Sequence, residues 1–194
     1  MGSIIALSGL NGHAFGSFKQ RGASSFMWLR DALPKDFPQA RIFVYGCDSK
    51  LINSKSFQET PDLSLNFSNH MSNIRSGSRQ LILIGRSLCG LIVKEMKEIA
   101  RDGKEPFSRD AAATLNSISA LLFFGAPSEG LDNEVLELMV KDQPNDYLVK
   151  TLGRSSGVLR TQMVAFRRVF EESRFLTFWY YGTEMTPTPK QVRN

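Results

Sequence analysis

Histidine and cysteine are the scarce chemistry-bearing residues of this chain, with only two of each in 194 positions. Cys47 and Cys89 make no disulfide framework and have no metal-ligand spacing, which removes stapled scaffolds and zinc modules from consideration. Long hydrophobic runs are also missing. The most apolar stretches, around residues 81–84 and 120–124, fall far short of the roughly 20 residues a membrane-spanning helix needs. The N-terminus has neither the basic region nor the apolar segment of a signal peptide. Together these absences predict an intracellular, cytoplasmic protein with no transmembrane segment. Charge of a single sign is lacking too. The formal net charge is +5, but basic residues alternate with acids, as between Lys94 and Lys104, the pattern of a solvated helix face. No nucleic-acid motif accompanies the charge, so no nucleic-acid partner is expected. Neither a Gly-x-Gly-x-x-Gly fingerprint nor a P-loop occurs, so no cofactor and no metal are expected and a nucleotide-binding domain ranks last.

What remains is the composition of one globular domain, 42% hydrophobic and 22% charged, enough to build a sizeable core. Four short, β-rich runs each end in a glycine turn, at residues 4–7, 42–45, 81–84 and 121–124, and a fifth covers 175–181. Continuous apolar runs are what strands buried on both faces require. Helical spacing fills the gaps at 24–33 (stopping at Pro34), 63–74, 88–100, 134–140 and 156–170. In the third of these, Leu91, Ile92, Met96 and Ile99 form one side and Lys94, Lys97 and Glu98 the other. Strands alternating with helices predict an α/β fold, a mostly parallel sheet with helices on both faces. Residues 1–185 are read as one domain and 186–194 as a tail or the start of a linker.

In such a sheet the working residues gather at the carboxyl ends of the strands. The third run leads into Gly85-Arg86-Ser87-Leu88-Cys89-Gly90, a sharp strand-to-helix turn with Ser87 at its apex. A turn this tight needs small neighbours on each side, and it lifts a hydroxyl above the sheet as a nucleophile elbow does. The bland alternative is a helix N-cap. The first run ends in Ser8-Gly9-Leu10-Asn11-Gly12-His13, a glycine-rich loop of the kind that lends a second backbone N–H to an oxyanion hole. The two loops together favour the elbow. Ser87 is then the candidate nucleophile, and Leu10 and Leu88 the candidate oxyanion donors.

Further segments fit the same pattern: Trp28-Leu29-Arg30-Asp31-Ala32-Leu33-Pro34, Arg41-Ile42-Phe43-Val44-Tyr45-Gly46 and Leu122-Phe123-Phe124-Gly125-Ala126-Pro127. By their order and spacing the chain resembles the lipase-like α/β-hydrolases grouped with GPI-inositol deacylases and serine-active-site lipase-like proteins. The closest likeness is to hydrolase domains at the N-terminus of fungal NACHT and ankyrin-repeat signalling proteins. The resemblance implies an α/β-hydrolase-like fold and an ester or lipid substrate. Departures accompany it. Ser8 stands where relatives carry histidine, Arg86 and Cys89 replace the histidine and first glycine of Gly-His-Ser-Leu-Gly-Gly, and Ser128 replaces a histidine after the fourth strand. Gly182 stands where a glutamate precedes threonine.

A serine hydrolase needs a base behind its serine, and the family order is Ser, then Asp or Glu, then His. His13 and His70 both precede Ser87, so the base is not found. His13 is read as shaping the oxyanion loop and His70 as a surface residue. Asp132 and Glu184 are the candidates for the acid. The chain stops before the family's last strand or strands, so a cut piece of a longer hydrolase and a domain that has lost its base both fit. The replacements listed above favour the second. An uncovered sheet edge would offer a protein partner a place to bind. Two readings therefore stand side by side: an esterase- or lipase-type serine hydrolase, and a non-catalytic hydrolase-like binding or signalling module.

Overall fold

The computed structural model describes residues 2–22, 24–74, 79–101, 107–172 and 175–183. The strands are β1 (Ser3–Leu7), β2 (Arg41–Tyr45), β3 (Leu81–Arg86), β4 (Ile118–Phe124) and β5 (Leu176–Tyr180). They form one parallel sheet in the order β2-β1-β3-β4-β5. Ser3 lies opposite both Arg41 and Leu81, so the first strand is second in the order, between two later ones. The helices in chain order are α1 (Trp28–Asp31), α2 (Leu33–Asp36), α3 (Thr60–Ile74), α4 (Leu88–Arg101), α5 (Phe107–Ser117), α6 (Glu134–Val140), α7 (Asp146–Lys150) and α8 (Gly157–Glu172).

Successive strand residues point to opposite faces, and the core splits accordingly. On one face Ile5, Leu7, Leu81, Leu83, Leu121 and Phe123 pack against Leu63 and Phe67 of α3, Leu91, Ile92 and Met96 of α4, and Leu159 and Phe166 of α8. On the other, Ile4, Ala6 and Ile84 pack with Phe18, Met27 and Leu29 around α1. This two-sided burial explains why β1, β3 and β4 read as apolar runs, while the edge strands β2 and β5 are more exposed. The fold is an α/β-hydrolase-like one, with helices on both faces. A third, smaller cluster of Leu51, Val140 and Val149 joins the segment after β2 to α6 and α7, and Leu10 packs against both it and the main core.

Three expectations need correction. The helix expected over 24–33 is two short turns, α1 and α2. Met27 is held extended by a bridge to Lys19, and its N–H donates to Asp31 Oδ2 at 2.7 Å, so the helix begins only at Trp28. Pro34 opens α2 instead of ending a helix, as proline does in a first turn, where its missing N–H has no intrahelical partner anyway. The helices α5 and α7 were not anticipated. Lys94, assigned to the solvent side of its helix, is only 3% exposed. Of the anticipated tail, residues 186–194 lie outside the described residues.

Candidate active site

The turn between β3 and α4 is built by close approach. A Cβ on Gly85 would stand 2.8 Å from the Gly90 Cα, and one on Gly90 would stand 2.5 Å from the Ala126 Cβ. Both positions therefore exclude a side chain, which answers the sequence's demand for small residues around the apex. Ser87 has φ of 52°, a left-handed conformation that costs a non-glycine residue on the order of 1 kcal/mol or more. The surroundings hold it there: its N–H donates to the Phe124 carbonyl at 2.9 Å, and its own carbonyl accepts the Gly90 N–H at 2.9 Å. The residue is half-buried, and its hydroxyl has no hydrogen-bond partner among the described residues.

The loop after β1 meets this turn directly. A Cβ on Gly9 would stand 2.7 Å from the Ser87 Cβ and 3.4 Å from its Oγ. The loop closes with the Gly12 N–H on the Gly9 carbonyl at 2.9 Å, and Asn11 is left-handed, with φ of 52°. The segment after β2 braces it: the Asn11 N–H donates to the Ser49 carbonyl at 2.8 Å, and Ser49 Oγ donates to the Gly9 carbonyl at 3.3 Å. The Leu10 N–H has no acceptor among the described residues. Leu88 is the first residue of α4, where backbone N–H groups lack intrahelical acceptors and carry the positive end of the helix dipole. Ser87, Leu10 and Leu88 thus belong to two touching loops at the carboxyl end of β1 and β3.

Among the described residues, none of the other sequence candidates hydrogen-bonds to the Ser87 hydroxyl. His13 Nδ1 accepts the N–H groups of Phe15 and Gly16 at 3.2 and 3.1 Å, organising the loop backbone. His70 is exposed on α3, bonded through Nδ1 to the Asn66 carbonyl at 2.7 Å and edge-on to Tyr45. Asp132 is exposed beyond β4 and lines a cavity of about 520 Å³ with Glu134, Glu137, Lys150 and Arg154, which Ser87 does not line. Glu184 lies outside the described residues. Ser8 is buried with its hydroxyl unpartnered among the described residues, and Arg86 is exposed. No group of three metal-ligating side chains occurs among the described residues.

Two features escaped the sequence reading. Lys94 Nζ donates to Ser128 Oγ and lies over Trp179, Phe123 and Phe166 at 4.7, 5.5 and 5.6 Å from their ring centres. Burial pulls its ammonium down to about 8. The second is the cysteine pair: Cys47 Sγ and Cys89 Sγ are 3.3 Å apart, although 42 positions separate them in sequence. The hydrogen bond from Cys89 holds the Cys47 thiol below its ordinary value, and the same contact together with burial pushes Cys89 up. Sequence spacing carries no sign of this contact, because it arises only when β2 and β3 are set on either side of β1.

No family model matches the chain, and no curated protein matches it in sequence. Among solved structures it is similar to phospholipase PlaB from Legionella pneumophila, with a TM-score of 0.60 at 13% identity. The match covers 92% of this chain and 39% of that one. At this identity the likeness concerns the fold alone. Among the described residues no helix is long and apolar enough to cross a membrane.

Proposed function

We propose that the chain is a serine-hydrolase-like domain of the esterase or lipase type, with Ser87 as nucleophile on an elbow and the Leu10 and Leu88 N–H groups as its oxyanion donors. The observation that carries this reading is the strained Ser87 turn packed against Gly9, which leaves no room for any side chain between the hydroxyl and the first loop. Backbone strain of this kind persists only where surrounding contacts over-determine it, and it concentrates at functional sites. An ester carbonyl seated over Ser87 would carry its developing negative charge toward two N–H donors already fixed in place, which is where such stabilisation is most effective. The fold of a phospholipase neighbour and the resemblance to the GPI-inositol-deacylase-like group support a lipid or other ester as the substrate class. Asp132 is a weak choice for the acid, since it sits in a separate cavity.

A second reading, a non-catalytic hydrolase-like binding or signalling module, is favoured by the free Ser87 hydroxyl. Neither histidine bonds it, and His13 Nδ1 is engaged by backbone. Without a base, only about 10³–10⁴-fold acceleration over water would remain from the oxyanion donors and binding. A fluorophosphonate probe separates the two readings. Covalent labelling of the folded chain that vanishes in Ser87→Ala supports the hydrolase. Failure to label a chain that melts cooperatively excludes it and leaves the binding module.

A further inference from the structure

The Cys47–Cys89 contact does not depend on whether Ser87 performs chemistry. Cys89 lies in the first turn of α4, fully buried, two residues beyond Ser87. Cys47 follows β2 and is half-buried, so of the two residues it is the one that retains exposed surface. Because β2 and β3 flank β1, the pair reaches across the carboxyl end of β1, beside the Gly9–Gly12 turn. The segment carrying Cys47 is ordered: the Ser49 N–H donates to the Cys47 carbonyl at 2.9 Å, and Ser49 in turn holds Asn11 and Gly9. The two thiols are therefore aimed at each other by packed backbone, with sulfurs about 1.2 Å farther apart than a disulfide bond length.

We propose that Cys47 and Cys89 form a redox-active pair, a modification site that closes to an intramolecular disulfide by reaction with hydrogen peroxide. The Cys47 thiolate attacks a peroxide oxygen, the O–O bond breaks, and the departing hydroxide takes a proton to become water, leaving Cys47 as a sulfenic acid. The Cys89 sulfur then attacks the Cys47 sulfur and gives up its proton. The S–O bond breaks, and the departing hydroxide leaves with that proton as a second water. Two thiols are oxidised and one peroxide is reduced to two waters. The division of labour follows from burial: the half-buried residue meets the oxidant, and the fully buried one resolves it. The hydrogen bond from Cys89 also favours the thiolate at Cys47 over one at Cys89. The resulting crosslink would tie the segment after β2 to the start of α4, across the loop that holds Leu10.

The test uses the full chain, reduced and then treated with a slight excess of hydrogen peroxide, followed by denaturation, alkylation with N-ethylmaleimide and intact-mass measurement. The expected result is loss of both alkylation sites together, in a monomer lighter by two hydrogens. A Cys47–Cys89 linked peptide should appear in the non-reduced digest and disappear with dithiothreitol. In Cys47→Ser, Cys89 should remain fully alkylatable after the same treatment. Two free thiols in treated wild type, or Cys47 carried to sulfinic acid with Cys89 still free, would overturn the proposal. So would crosslinked dimers in place of the monomer. The decisive readings come from the wild-type chain, so they stand even if the variant folds poorly.

Discussion

Replacing Lys94 with methionine should make the protein more stable at neutral pH. Lys94 is nearly fully buried, and among the described residues it has no carboxylate partner: its ammonium faces three aromatic rings, the Met163 sulfur and the Ser128 hydroxyl. Lowering its pKa from 10.5 to about 8 corresponds to a buried-charge cost of about 3 kcal/mol. The ring contacts return part of that, roughly 0.5 kcal/mol or more in total. Methionine keeps the length of the side chain and removes the charge, so a gain of about 1–2 kcal/mol is expected at pH 7. With a urea m-value of about 2 kcal/mol/M, the midpoint should rise by about 0.5–1 M. Tryptophan fluorescence suits the measurement, since Trp179 sits directly over Lys94.

The pH dependence supplies a second readout. Below pH 8 Lys94 is protonated in both states and its cost is fully felt. Between about 8 and 10.5 the unfolded chain holds more protons than the native one, so wild-type stability rises with pH across that window. The variant should lack this rise. Tyr45, pushed up to about 12 by burial, acts in the opposite direction above pH 10, but equally in both proteins, so their difference isolates Lys94. A Lys94→Met protein that is less stable at pH 7 and keeps the wild-type slope would refute the reasoning.

The site geometry makes two further predictions. Ser87→Gly should be more stable than Ser87→Ala by about 1 kcal/mol, because alanine keeps the left-handed strain at φ of 52° and glycine does not; equal melting temperatures would contradict this. Gly9→Ala should cost about 1–3 kcal/mol by driving a methyl group into the Ser87 side chain. Thermal melting reads that loss, and any Ser87 labelling should fall with it; an unchanged melt would mean that the two loops do not touch.

The inner strands β1, β3 and β4 were legible because they are largely buried, a demand that leaves apolar runs, whereas the edge strands β2 and β5 are partly or mostly exposed and were read from their β-rich residues and the turns that end them. Legibility failed where tertiary contacts overrode local pattern. The helix start at Trp28 is set by a bridge from Lys19 and by the Asp31 carboxylate, neither of which is visible as periodicity. Lys94 follows the spacing of a polar face, yet it is covered by aromatics from β4, β5 and α8 that lie between 29 and 85 positions downstream. The Ser87 turn was readable from Gly85 and Gly90, whereas its contact with Gly9 depends on β1 and β3 being neighbours.

That adjacency also has a cost in time. β1 pairs with β2 and β3, and Ser3 must wait for Arg41 and then Leu81 to find both its partners. During synthesis β1 emerges before both of its neighbours and is enclosed only after β3, since its second neighbour emerges some 40 residues after the first. Non-local parallel pairing of this kind folds slowly and exposes strand edges meanwhile. Nascent chains that have not yet reached residue 86 hold a β1 whose β3-facing edge is still open, so they are the ones for which chaperone capture matters most.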